Sequence, residues 1–179
     1  MSKVPADIQT NLNKHISHLC PFSIGTLNGQ SHCAHFVSHV MGYNLAGPTW
    51  KNFTFADKQK SEKGATIRVD DIFRSSPETG HFDSKPAALT ECVVFVTVST
   101  NIKKMGTKLV MGNHKKKHVG ILTKGKVWNY NNTSNKVLAE DFAAFKTYYT
   151  NRYKTIGATV EFYFGKFIWN TYYSFVCFY

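Results

Sequence analysis

The sequence has few cysteines, few acidic residues and no long apolar run, and each shortage excludes a class of protein. Its 179 residues contain Cys20, Cys33, Cys92 and Cys177 and no CxxC pair, which argues against a zinc ribbon, a thioredoxin motif or a disulfide framework. No run of about 18 apolar residues occurs, so we expect no membrane span. The first twenty residues lack an apolar segment after Lys3. We therefore expect no cleavable signal and a protein that is cytoplasmic as made, or exported by a signal-independent secretion system to act in a periplasm.

Acidic residues are half as numerous as basic ones, at 11 Asp+Glu against 22 Lys+Arg, and the formal net charge is +11. Such a charge favours anionic partners, namely nucleic acid, anionic lipid or an anionic cell-wall polymer. Residues 101–126 contain eight lysines, among them Lys115, Lys116 and Lys117, and no acid. This run is either a solvated surface or a rim that collects an anionic substrate, and the sequence leaves both interpretations open.

Apolar spacing predicts an α+β fold in one domain, with helices first, then an antiparallel sheet and one late helix. The predicted helices are residues 5–19, 33–41 and 138–153, with Gly42 as a left-handed cap on the second. Buried strands are predicted at residues 91–99 and 159–169, and residues 66–73 form a short strand or a 3₁₀ element. Residues 118–123 and 126–132 flank Lys124-Gly125 and form a β-hairpin. We expect Cys92 and Cys177 to be buried, and residues 47–85 to be irregular and to line one side of a cleft.

Cys33 is placed where a nucleophile could be activated, between a polar loop and an apolar helix. A helix N-terminus lowers the pKa of a thiol through its unpaired N–H groups and its partial positive charge. The nucleophile also needs a base and a group that orients the base. His118 opens a buried strand, and Asn129 lies on the next strand, so these three residues are a candidate Cys-His-Asn triad. Tyr130, Asn131 and Asn132 stay as alternatives for the third position.

The segments "SHCAHFVSHVMGY" and "KHVGILTKGKVWNYNN" resemble the papain-like NlpC/P60 and CHAP cell-wall peptidases. In that group a cysteine opens a helix of the form C-x-x-F-V, a histidine lies on a strand reading H-V-G-I, and the following strand carries a polar third residue. The resemblance extends over roughly residues 28–132. It implies a papain-like fold with N-terminal helices packed on an antiparallel sheet, Cys33 as nucleophile, His118 as base and Asn129 as orienting residue.

The resemblance further implies a cysteine amidase or endopeptidase that cleaves an amide bond in peptidoglycan peptides by acyl transfer and needs no cofactor. A lone basic domain is similar to the antibacterial amidase effectors of type VI secretion, which would have an immunity or inhibitor protein as a partner, and to phage-type lysins. The Cys33 N–H is the expected oxyanion donor, with Gln30 or Asn28 as auxiliaries. Expected substrate contacts are His32, Lys115, Lys116, Lys117 and Trp128.

Three other interpretations compete. His35 and His39 are spaced i, i+4, which suits two metal ligands, but we favour partly exposed helix histidines at 32, 35 and 39 and no metal. Cys20 lies in a loop where it could be exposed, and we expect no Cys20–Cys33 disulfide.

The same triad could act on a protein as a protease, deamidase or transferase. A basic nucleic-acid-binding module is the alternative from another class, and it is disfavoured because no known nucleic-acid motif is present.

Overall fold

An antiparallel sheet forms the centre of the protein in the computed structural model, which describes residues 3–20, 23–43, 45 and 65–168. Within this part of the chain the strands are β1 (Thr79–His81), β2 (Cys92–Val98), β3 (Ile102–Met105), β4 (Lys108–Met111), β5 (Lys117–Thr123), β6 (Lys126–Asn131), β7 (Lys136–Asp141) and β8 (Val160–Gly165). Six of them form one sheet in the order β1-β8-β2-β5-β6-β7, and β3 pairs with β4 separately. All the pairs are antiparallel, so the α+β prediction is confirmed.

Helices cover both faces of the sheet. They are α1 (Cys33–Met41), α2 (Val69–Ser75) and α3 (Phe142–Lys154). Side chains of α1 and α2 pack with Val119, Ile121 and Trp128 on one face, and those of α3 pack with Leu122 and Val127 on the other. Strand residues alternate between these two layers because successive side chains point to opposite sides of a sheet. In the part of the chain that the structure describes, no helix is both long and apolar enough to cross a membrane.

Two local predictions are confirmed in detail. α1 begins at Cys33, ends at Met41 and is capped by Gly42, whose φ of 66° and ψ of 30° are those of a left-handed cap. β5 and β6 form the predicted hairpin, with φ of 50° at Lys124 and 76° at Gly125. Positive φ at both turn residues gives the twist that joins two antiparallel strands through a short loop. Strands at 91–99 and 159–169 are also present, with the bounds of β2 and β8.

Two predicted elements are wrong, and the helix predicted at 138–153 begins four residues late, at Phe142. Residues 5–19 form 3₁₀ turns at Ile8–Asn11 and Ile16–His18, because Asn13 adopts φ of 59° and its N–H bonds the carbonyl of Val137 on β7. The first residues assigned to the helix at 138–153 instead belong to β7, where pairing with β6 overrides their helix propensity. Residues 66–73 were expected to be a strand or a 3₁₀ element, yet most of them form α2.

The cysteines in the described residues are buried, and none of them is in a disulfide. Cys92 is buried as predicted, and Cys20, whose loop position left exposure open, is 0% exposed. No disulfide joins Cys20 to Cys33. Cys177 and residues 47–64 of the predicted cleft loop lie outside the described residues.

Candidate active site

His118 and Asn129 lie together on the sheet face that α3 covers. Nε2 of His118 is 3.1 Å from Oδ1 of Asn129, and both side chains are buried. Nδ2 of Asn129 donates to Oε2 of Glu140 on β7 at 3.0 Å, which directs Oδ1 toward the imidazole. Because this oxygen only accepts, Nε2 carries the ring proton, and Nδ1 of the neutral imidazole is left as the acceptor.

Aromatic packing keeps this imidazole neutral. The ring of Tyr149 stacks on His118 with 4.4 Å between centroids, and Phe145 lies 6.0 Å away. Burial lowers the pKa of His118 to about 3, the charge of Arg152 acts in the same direction, and the hydrogen bond to Asn129 opposes them. At neutral pH the ring is therefore an unprotonated base.

Cys33 is the first residue of α1, and only 2% of it is exposed. Its sulfur lies 3.4 Å from Oγ of Ser31 and accepts backbone hydrogen bonds from Val119, Ala34 and Cys33 itself. Burial raises the pKa of this thiol, and these hydrogen bonds offset the effect only in part. The expected lowering of the pKa by the helix N-terminus is therefore wrong, because desolvation outweighs the local dipoles.

The sulfur and the imidazole approach the start of β5 from different sides. Cys33 belongs to the core layer under α1, whereas His118 contacts Tyr149 of α3 on the opposite face. The sulfur accepts a hydrogen bond from the backbone N–H of Val119, so it lies beside the main chain of the residue that follows His118.

A cleft of about 250 Å³ opens beside the start of β5, where His118 is one of the lining residues. Its described lining includes three chain segments and one face of α3: residues 28–31, residues 115–118, residues 131–133, and Tyr148, Tyr149, Arg152 and Tyr153. None of these lining residues is acidic. Four of them, Lys115, Lys116, Lys117 and Arg152, are basic, so the cleft favours an anionic ligand.

The predicted auxiliary residues Asn28 and Gln30 both line the cleft. Oδ1 of Asn28 is 2.7 Å from Nε2 of His15, so Nδ2 is the atom of Asn28 that remains as a donor. Gln30 is exposed. Of the three lysines, Lys117 is committed to an ion pair, with Nζ 2.7 Å from Oδ1 of Asp70.

Two expected substrate contacts lie away from the cleft. Trp128 is on the α1 face of the sheet and is 9% exposed as part of the core. His32 is 1% exposed, and its ring faces the carbonyl of Leu27 and the ring of His35. Both side chains contribute to packing under α1, and the expectation that they contact substrate is corrected. His35 is also fully buried, so the expectation of partly exposed helix histidines is wrong for His32 and His35, whereas His39 is half-buried and agrees with it.

The three alternatives for the third residue of the triad contact residues other than His118. Tyr130 lies on the α1 face, with its ring edge against His32. Oδ1 of Asn131 accepts from the N–H groups of Thr133 and Ser134 in the turn after β6. Oδ1 of Asn132 accepts from the His32 N–H at 2.7 Å, and its Nδ2 donates to Ser31 at 3.2 Å. Among these four residues, Asn129 is the one that bonds His118.

Three residues of the site were missed from the sequence. Glu140 holds Asn129, and recognising β7 as a strand would have placed it near Asn129 by the alternation of faces. Ser31 touches the sulfur and lines the cleft, and Arg152 reaches the cleft from α3. Helical spacing shows that Arg152 follows Tyr148 and Tyr149 on one face of α3, but nothing in the sequence shows which face meets the cleft.

Comparison of the chain with protein-family models, with curated proteins and with solved structures found no match.

Proposed function

We propose that the protein is a papain-like cysteine amidase or endopeptidase with Cys33, His118 and Asn129 as its catalytic triad. The observation that carries the proposal is the bond from Nε2 of His118 to Oδ1 of Asn129, which leaves Nδ1 of the neutral imidazole as the atom that can accept a proton. A nucleophile at a helix N-terminus, a neutral imidazole and an amide that fixes its tautomer are the parts that acyl transfer requires.

The reaction begins with both groups neutral. Nδ1 of His118 takes the proton of the Cys33 thiol, directly or through one water, as the sulfur attacks the carbonyl carbon of the substrate amide. The N–H groups at the start of α1 stabilise the tetrahedral oxyanion. The imidazolium then protonates the leaving amine, and the C–N bond breaks to give a thioester. Water, deprotonated by His118, attacks the thioester and releases the carboxylic acid and the free thiol.

The charge of the cleft supports an acidic peptide as substrate. Lys115, Lys116 and Arg152 line it, and none of the described lining residues is acidic. Peptidoglycan peptides carry free carboxylates and belong to an anionic polymer, so they match this lining better than a neutral peptide does. A protein substrate with an acidic segment would use the same triad. A nucleic-acid module is less well supported, because Tyr149, Tyr153 and Phe145 are core residues rather than an exposed stacking surface.

Digestion of purified peptidoglycan by wild type and by Cys33→Ala, with mass spectrometry of the soluble products, tests the proposal. New peptide fragments from wild type alone would identify both the nucleophile and the bond that is cut. Equal fragments from both proteins would reject Cys33 as nucleophile. Cleavage of an acidic protein but not of peptidoglycan, again lost in Cys33→Ala, would keep the triad and reject the cell-wall substrate.

A further inference from the structure

A second cluster of reactive side chains lies behind α1 and plays no part in the proposed reaction. Cys20, His35 and His39 each offer one ligand atom, and these atoms all lie within 4.8 Å of one another. The shortest separation is 3.0 Å, between Nε2 of His35 and Nε2 of His39. Cys20 and His35 are fully buried and His39 is half-buried.

Local structure places these three side chains together. His35 and His39 lie one helical turn apart on α1, so their rings project from the same face. Cys20 follows the 3₁₀ turn Ile16–His18, and its N–H bonds the carbonyl of Ile16. His35 is two residues after Cys33, which places it about 200° around the helix from the nucleophile. The cluster is therefore separate from the candidate active site.

A chain of hydrogen bonds orients His35. Nε2 of His32 is 3.0 Å from the carbonyl of Leu27, and this oxygen can only accept, so Nε2 carries the proton of a neutral His32. Nδ1 of His32 then accepts from Nδ1 of His35 at 3.1 Å. The remaining nitrogen of His35, Nε2, is then an acceptor, and it lies 3.0 Å from Nε2 of His39. Histidines that bind metals are typically held in this way, with the other ring N–H donated to a neighbour.

We propose that Cys20, His35 and His39 form a metal site whose natural occupant is Zn²⁺. One sulfur and two imidazole nitrogens are donors that zinc prefers, and magnesium and calcium prefer oxygen. Bonds of 2.0–2.1 Å in a tetrahedron separate two nitrogen ligands by about 3.3 Å, close to the 3.0 Å between His35 and His39. These three ligands leave the fourth position of a tetrahedron to water or another group. The ion would cross-link the segment that ends at Cys20 to α1, the helix that begins at Cys33.

Metal binding can be measured on full-length protein without a histidine tag, and it does not depend on the proposed function. Co²⁺ replaces Zn²⁺ in tetrahedral sites and gives a charge-transfer absorption when a thiolate is bound. Wild type is expected to bind one equivalent of Co²⁺ with this absorption, to lose it when Zn²⁺ is added, and to melt at a higher temperature with Zn²⁺ than with a chelator. Folded wild type without the thiolate absorption would overturn the proposal.

Variants assign the ligands. Cys20→Ser and His39→Ala should each weaken Zn²⁺ binding in a chelator competition by at least about tenfold, and Cys92→Ser, His114→Ala and Cys33→Ala should bind as wild type does. His39 is half-buried near the end of α1, so His39→Ala is the variant best able to stay folded. If His39→Ala and Cys20→Ser bind Zn²⁺ as tightly as wild type, the assignment is wrong. The Co²⁺ absorption spectrum of wild type tests whether a thiolate binds the metal even if a variant does not fold.

Discussion

Gly120 lies directly opposite Asn129 in the β5–β6 ladder, and the missing side chain of Gly120 is what lets Asn129 reach His118. Both residues face α3, as does His118, two positions before Gly120 in β5. A Cβ on Gly120 would lie 2.9 Å from the carbonyl oxygen of Trp128 and 3.1 Å from Cβ of Asn129. The glycine of the H-V-G-I pattern thus has a local physical purpose beside the candidate base.

Gly120→Ala should therefore disturb both strand pairing and the bond between His118 and Asn129. We expect a loss of about 1–3 kcal/mol in the free energy of unfolding, typical of an overpacked position, and a fall in kcat. Denaturant unfolding and peptide release from peptidoglycan measure the two effects. Gly29→Ala is the stability control, because nothing lies within 4 Å of the added methyl group. Wild-type stability and kcat in Gly120→Ala would contradict this account of the glycine.

His118 and Asn129 should act as one unit in catalysis. His118→Ala should lower kcat by about 10²–10⁴-fold, the usual contribution of a general base. Asn129→Ala should lower kcat by less, and the double variant should be no slower than His118→Ala because the two effects are not additive. Asn151→Ala, an exposed position on α3, serves as the control. A double variant much slower than His118→Ala would show that Asn129 acts independently of the imidazole.

The buried thiol predicts a particular pH dependence for alkylation. Because burial raises the pKa of Cys33, little thiolate is present at pH 7, and the rate of its reaction with iodoacetamide should still be rising above about pH 8.5. Ser31→Ala removes a hydrogen bond that lowers this pKa, so the pH profile of alkylation should shift to higher pH in this variant. Ser134→Ala is the control, and its profile should match that of wild type. Peptide mapping distinguishes Cys33 from the other cysteines. A rate that is flat from about pH 5 to pH 8 would indicate a preformed thiolate–imidazolium pair instead.

The basic cleft should affect polymer binding more than turnover. Lys116→Gln combined with Arg152→Gln should weaken cosedimentation with peptidoglycan at low salt, and added salt should do the same to wild type. Turnover of a small neutral peptide should fall less in both experiments. Lys103→Gln combined with Lys104→Gln on β3 removes the same charge away from the cleft. Equal losses of peptidoglycan binding in the two double variants would show that net charge, and not the position of the charges in the cleft, determines binding.

Local signals in the sequence identified the parts of the fold that short-range chemistry determines. Gly42 ends α1 because it tolerates a left-handed conformation, and the Lys124-Gly125 turn makes the β5–β6 hairpin. Since α1 and this hairpin carry Cys33, His118 and Asn129, the proximity of His118 to Asn129 could be predicted. The alternation of Trp128 and Tyr130 with Asn129 also indicated correctly that Asn129 faces away from both aromatic rings.

Long-range pairing explains most of the errors. Residues 138–141 have good helix formers, yet they form part of β7 because an edge of β6 is available to them. Asn13 leaves the helical conformation and bonds to Val137 across the sheet edge. The burial of Cys20 beside His35 and His39 has the same origin, since it depends on how a distant segment packs behind α1. No pattern of spacing along the chain indicates such a contact.

The covalent intermediate is the most direct test of the central claim that Cys33 carries out acyl transfer. Wild type and His118→Ala are mixed with soluble peptidoglycan peptides and quenched in acid during turnover, and peptide mapping by mass spectrometry then locates any adduct. We expect a thioester on Cys33 of wild type that disappears when the substrate is consumed, with much slower formation in His118→Ala. Peptide release by wild type with no adduct on Cys33, and with the same rate in Cys33→Ala, would contradict it.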